Sequence, residues 1–178
     1  MQETTFLLGE ELRKRAAPTE QRDGKWMQGE VHDPRAYKLG GVAGHAGLFS
    51  TAEDLAIYAS MMLARGERGD KRILSEDTWN QMTAANKVAA RRTNGQEYEG
   101  LRGLGWDMKT GYSINRGDSL SPAAFGHGGF TGTAIWIDPE KDLFFIFLSN
   151  RVHPDGKGLV NPLIGKIGTV VGNAAEGK

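Results

Sequence analysis

Residues Phe125 to Arg151, FGHGGFTGTAIWIDPEKDLFFIFLSNR, constrain this chain more than any other stretch. Two β-rich runs, Thr131 to Asp138 and Asp142 to Asn150, are joined by Pro139-Glu140-Lys141. A proline with a charged pair between such runs is turn chemistry, so the pattern predicts a hairpin. Its second strand carries Leu143-Phe144-Phe145-Ile146-Phe147-Leu148, apolar on both faces, which predicts a central strand covered on each side. A polar and glycine cluster, Gly126-His127-Gly128-Gly129, opens the stretch. A histidine among glycines at the border of a buried sheet is a candidate for chemistry, because bare backbone there admits a ligand.

Length and composition narrow the function classes. A chain of 178 residues is about one domain and large enough for a single core. The 22 basic and 22 acidic residues balance and form no basic tract, so nothing directs the chain to nucleic acid or to an anionic membrane surface. The apolar run of strand two is far shorter than the roughly 20 residues that span a bilayer. With no cysteine, disulfides and thiolate metal sites are excluded. No secretory signal is legible where Gln2 and Glu3 follow Met1, and the compartment stays open. Glycine is the outlier at 25 residues, clustered beside apolar and histidine positions as tight turns and close backbone approaches require.

Elsewhere the pattern is mixed. Residues 1 to 36 are polar and irregular, with a short strand expected around Arg15 to Glu20 and a turn at Asp23-Gly24. Ser50 with Glu53 three residues on predicts a capping box, opening a helix over 51–65 with a stripe of Leu55, Ala59 and Met62. A second helix is expected over 75–84, acidic in its first turn. Residues 86 to 100 predict a polar, mobile loop, and 103–108 a strand, with Tyr112 to Pro122 as a connection. Asn161-Pro162 predicts the start of a helix over 161–173, with Leu163, Ile167, Val170 and Val171 apolar. Its Gly165, Gly168 and Gly172 form a ridge suited to packing on a sheet. The class is α+β, an antiparallel sheet with three helices, and as a complete domain it is thin.

Three stretches together resemble the serine β-lactamase-like family, which includes class C β-lactamases, penicillin-binding D-alanyl-D-alanine peptidases and related esterases. Met1-Gln2-Glu3-Thr4-Thr5-Phe6 is similar to the family's M-x-x-T-x-F, and GGVAGHAGLFSTAEDLAIYASMML to its GGLxSTAxDLAxF loop and helix. GHGGFTGTAIWIDPEKDLFFIFLSNR resembles its third active-site motif with the two following strands. The likeness runs from Met1 to about Val171. It implies a partial β-lactamase-like fold forming a single, incomplete domain over 1–178. It also implies that His127 takes the cationic or hydrogen-bonding place of the motif, with Gly128 and Gly129 after it. The Phe130 N–H would be an oxyanion donor. Gly128, Gly129, Thr131 and His45 would line the substrate site, with no cofactor and no metal. The substrate would be a small ester, amide or β-lactam, and intact members of the family are often exported.

The family's Ser-x-x-Lys is absent: Ser50, Ser60 and Ser75 each lack a lysine three residues on. Tyr58-Ala59-Ser60 has the letters of Tyr-x-Ser but falls inside the expected helix. The chain is therefore expected to be the C-terminal portion of such a protein, weak or inactive alone, because a serine without its lysine is a poor nucleophile. Two alternatives stay open. One is a non-catalytic domain that binds ligand or forms a homo-oligomer through surface the missing half would cover. The other is residual esterase action by Ser50 or Ser119 beside His45 or His127. His32, His45 and His127 match no compact metal spacing, and His32-Asp33-Pro34 predicts a turn fixed by Asp33.

Overall fold

The computed structural model describes residues 1–91 and 94–175. In chain order the elements are α1 (Glu10–Arg15), β1 (Gln21–Arg22), β2 (Lys25–Trp26), α2 (Pro34–Lys38), α3 (Ala52–Leu63), β3 (Glu67–Arg68), β4 (Lys71–Arg72) and α4 (Glu76–Thr83). Then come β5 (Asn86–Arg91), β6 (Glu97–Arg102), β7 (Asp107–Lys109), β8 (Phe125–Gly128), β9 (Ala134–Asp138), β10 (Leu143–Phe147) and α5 (Asn161–Ala175). The last six strands form one sheet in the order β10-β9-β8-β7-β6-β5, antiparallel throughout.

Helices cover both faces of this sheet. On one face Ala59 and Met62 of α3, Trp79 of α4, Trp106, Phe125 and Ile137 share a core. On the other, Ala134, Trp136 and Phe145 pack with Ile164 of α5. Strand alternation assigns the sides: Phe125 and His127 fall on the α3 face, Gly126 and Gly128 on the α5 face. Full burial of Phe125, Trp136 and Ile137, each at 0 % exposure, stabilises the sheet by about 1.5–3 kcal/mol per side chain. The turn between β9 and β10 is held by buried Asp138, which accepts from the backbone N–H groups of Glu140 and Lys141 and from Ser121.

Several expectations are corrected. β10 lies at the sheet edge, since its apolar faces report the helices above and below it and say nothing of a lateral neighbour. Residues 86–91 and 97–102 are strands, with residues 92 and 93 of the expected loop outside the described residues. Their alternation is muted because the ribbon is mostly solvated and held by pairs such as Lys87–Glu99 at 3.1 Å and Arg91–Glu97 at 2.7 Å. The strand expected over 103–108 is confined to 107–109, because Gly103 N–H bonds to Trp106 O and turns the chain. Near the N-terminus, 10–15 is helical and the pairing falls at 21–26, around the Asp23-Gly24 turn. Thr131 lies in a turn before β9.

Thr51, not Ser50, caps α3, accepting from Asp54 N–H at 3.2 Å, while Ser50 hydrogen-bonds Thr4 at 2.8 Å. Asp54 is buried and ties in the N-terminal segment, accepting from Thr4 Oγ1 at 2.8 Å and from Glu3 N–H at 2.9 Å. On α5, Leu163 and Val170 face outward, and the glycine ridge packs mainly on the 114–119 connection, with Gly168 also against Phe145 of the sheet. That connection includes a 3₁₀ turn at Ser113–Asn115.

Two outcomes follow from these contacts. A Cβ on Gly168 would sit 2.4 Å from Arg116 O. Gly168→Ala is expected to lose about 1–3 kcal/mol in urea denaturation, despite the roughly 1 kcal/mol that alanine gains in helix propensity. A neutral or stabilised variant would contradict this close approach. Burial pushes the Asp54 carboxyl up, but the Thr4 hydroxyl and Glu3 N–H outweigh it and leave it below its ordinary value. A depressed folded-state value stabilises the fold fully above the ordinary aspartate pKa of about 3.9 and ceases to do so as pH falls through the folded value. The stability gap between the parent and Asp54→Ala should therefore be widest near neutrality and shrink on acidification. A gap that does not vary with pH would refute the assignment.

Candidate active site

The site is built where β8 runs out into the turn before β9. Gly128 pairs with Ala134, Gly129 N–H bonds to Thr133 O at 2.6 Å, and Gly132 N–H bonds to Gly129 O at 3.0 Å. Phe130 and Thr131 occupy the corners between them. No hydrogen bond engages the Phe130 N–H among the described residues. A trans peptide is planar with N–H and C=O opposed. Because Gly129 O is taken by Gly132, the Phe130 N–H of the same peptide points the other way.

His127, half-buried on β8, is fixed by two contacts. Arg102 Nη2 lies 3.0 Å from His127 Nε2, and His127 Nδ1 lies 2.8 Å from Gly128 O. A guanidinium only donates, so Nε2 accepts and Nδ1 carries the proton. The imidazole is the neutral Nδ1–H tautomer. Arg102 stands two strands across from His127, since Arg102 and Gly126 are both register partners of Asp107, and it lies at the register shift between Leu101 and Arg102. Asp107 itself is occupied by Thr110 Oγ1 at 2.7 Å and Ser113 Oγ at 2.8 Å. Among the described residues no carboxylate pairs with Arg102.

Strand β8 meets β7 through only one residue pair, Asp107–Gly126. Past it, His127 and Gly128 have a strand neighbour on the β9 side alone. On the α5 face a Cβ at Gly128 would meet Asn115 Nδ2 at 1.9 Å, and Asn115 Oδ1 accepts from the buried Trp136 indole at 3.2 Å. Leaving that indole N–H unpaired would cost about 1–3 kcal/mol, so Gly128 and Asn115 are a matched pair.

The other expected residues are distributed around this turn. The Phe130 ring, 69 % exposed, stacks on His32 with ring centroids 5.6 Å apart and lies 4.2 Å from the Arg151 guanidinium carbon. His45 does not meet His127. Its Nε2 is 3.0 Å from Asp33 Oδ1, because Asp33 stands at the start of α2, where it also accepts from the Arg35 and Ala36 N–H groups. Those backbone bonds, led by Ala36, and the His45 contact hold the Asp33 carboxyl below its ordinary value. His32 pairs with Glu20 at 2.8 Å. The three histidines therefore have three different partners, and no group of three or more His, Cys, Asp or Glu able to hold a metal occurs among the described residues. No described helix is long and apolar enough to cross a membrane. Ser50 is bonded to Thr4, Ser119 packs against Gly172, and no hydrogen bond joins either to a histidine among the described residues.

Arg102 and Arg151 carry no signal in the sequence that ties them to His127 or Phe130. Each lies more than a strand away along the chain, and the folding of the sheet brings it in.

Comparison with known proteins agrees with this architecture. The Beta-lactamase family profile matches residues 1–168. A putative D-alanyl-D-alanine carboxypeptidase of Escherichia coli K12 is 37 % identical over 130 residues, covering 71 % of this chain and 28 % of that protein. Its Salmonella typhi counterpart is 37 % identical over 140 residues, 76 % of this chain and 30 % of that one. The chain thus spans less than a third of these relatives. Among solved structures, a penicillin-binding protein homolog from Caulobacter crescentus superposes with TM-score 0.65 at 16 % identity, covering 97 % of this chain and 48 % of that one. EstA from Arthrobacter nitroguajacolicus gives TM-score 0.57 at 22 % identity, covering 98 % and 50 %. These neighbours bear out the partial, mixed helix-and-sheet fold, and the profile match over most of the sequence assigns the family: the chain belongs to the beta-lactamase family.

Proposed function

We propose that this chain forms one wall of the cleft of a serine hydrolase that cleaves ester or amide bonds through an acyl-serine intermediate. The nucleophile and its base come from a Ser-x-x-Lys outside these 178 residues. The free Phe130 N–H, directly after His127-Gly128-Gly129, is the observation that carries this function. A fixed donor aimed at the oxygen of a tetrahedral intermediate stabilises the developing charge without reorganising, and is worth roughly 3 kcal/mol in such reactions.

Around that donor each residue has a role. Past Gly126, β8 has no strand neighbour on its β7 side, so an extended substrate can lie beside Gly128 and Gly129. Thr131 sits on the same turn and can contact the bound acyl group. His127 as the neutral tautomer does not supply the fixed positive charge that a lysine would give there. Arg102 does, half-buried and unpaired with any described carboxylate, so the favoured substrates carry an anionic group near the scissile bond. His45, bonded to Asp33, falls outside this set.

The test uses ¹⁵N-labelled chain titrated with an acylated peptide ending in D-alanyl-D-alanine. Shifts centred on the Phe130 amide and the His127 ring are expected. Arg102→Ala should weaken binding roughly tenfold to hundredfold, as loss of a hydrogen bond to a charged group does. Shifts confined to other regions would overturn the proposal. With a fluorophosphonate probe, no serine of this chain should be labelled; labelling of Ser50 or Ser119 would contradict an external nucleophile.

A further inference from the structure

Phe130 is flanked by glycines whose only hold on the turn is through hydrogen bonds of their backbone groups. Gly129 precedes it, and Gly132, at φ +106°, ends the turn in a conformation that side chains rarely adopt. An exposed turn of this kind moves on nanosecond to microsecond timescales unless it is tied down, and a mobile donor does not make a preorganised oxyanion site.

Arg151, just beyond β10, ties it down at three points. Its Nε donates to Phe130 O at 2.6 Å, its backbone N–H donates to Thr131 O at 2.9 Å, and its guanidinium carbon lies 4.2 Å from the centre of the Phe130 ring. The far side of the guanidinium is itself anchored, with Nη1 donating to Gly156 O at 3.3 Å and Gly158 O at 3.2 Å. The residue sits tightly, since a Cβ on Gly132 would lie 3.0 Å from Arg151 N and one on Gly158 would lie 2.7 Å from Arg151 O. The His32 ring, bonded to Glu20, also stacks on Phe130. These contacts fix the carbonyl that follows Phe130, while the Gly129–Gly132 bond fixes the one before it. The Phe130 N–H lies in the Gly129 carbonyl's peptide plane, and Arg151 holds the next peptide, so the dihedral angles at Phe130 that join the two planes are held from both ends.

We propose that Arg151 is a positioning residue for the Phe130 peptide, holding its N–H turned into the cleft and linking it to the 156–158 loop. The inference rests on the assignment of that N–H as an oxyanion donor. An arginine is needed because one planar fork must serve a turn carbonyl, two loop carbonyls and a ring face at once. A lysine supplies the charge but not the Nε donor.

Backbone ¹⁵N relaxation on the parent chain, Arg151→Met and Arg151→Lys tests the role without any substrate. The parent Phe130 amide should be rigid, with an order parameter of about 0.85, and should fall below about 0.6 in Arg151→Met. Arg151→Lys should fall between them, and the Trp136 and Ile137 amides should not change in either variant. A Phe130 amide that stays rigid in both variants overturns the proposal. So does a loss of order spread across the sheet, which would make Arg151 a general structural residue. If Phe130 loosens as expected but its amide never responds to the D-alanyl-D-alanine peptide, the bracket stands and the oxyanion assignment fails.

Discussion

The absence of side chains at Gly126 and Gly128 is the constraint on which the rest of the site depends. On the α5 face a Cβ at Gly126 would meet Ile135 O at 2.2 Å and the Trp136 ring at 2.5 Å. Trp136 and Asn115 fill the space that these glycines leave, and their indole-to-amide hydrogen bond locks the 3₁₀ turn against the sheet. Strand alternation then requires Phe125 and His127 to project to the opposite face, Phe125 into the core and His127 at its border. One short strand with two bare positions thus packs a core and presents a polar group.

The electrostatics follow from the same strand register. On the proposed reading His127 takes the cationic or hydrogen-bonding place of the motif, yet its Nε2 is engaged by Arg102, so the positive charge sits one side chain further out. Asp107, the register partner of Arg102, is committed to Thr110 and Ser113. The guanidinium is left to an imidazole that cannot cancel its charge. Arg151 treats Phe130 similarly from the other flank, donating to backbone carbonyls and lying against a ring. Both arginines reach across the fold to groups at or just past the end of β8.

Where local physics was decisive, the sequence was a good guide. The Asp23-Gly24 turn, the acidic first turn of α4, the β9–β10 hairpin and the beginning of α5 at Asn161-Pro162 all stand where turn chemistry and helix-start signals predict. The cluster around His127 was visible as a run of glycines beside a histidine. What escaped was decided by tertiary contact. A solvated ribbon such as β5–β6 hides its alternation under charge, and an apolar run on β10 does not say whether another strand lies beside it. Two adjacent hydroxyls, Ser50 and Thr51, both suit a cap, and the choice fell to the Thr4 contact that claims Ser50. His45 belongs to Asp33 because a short helix between them brings the two together.

The central claim is that the cleft wall holds a neutral His127 whose lone pair is taken by Arg102. A long-range ¹H–¹⁵N spectrum of the His127 ring at neutral pH reads this directly. The account predicts a protonated Nδ1 and an unprotonated, hydrogen-bonded Nε2, with the Nε2 resonance moving when Arg102 is replaced by alanine. An Nε2–H tautomer, or a ring indifferent to Arg102→Ala, would contradict it.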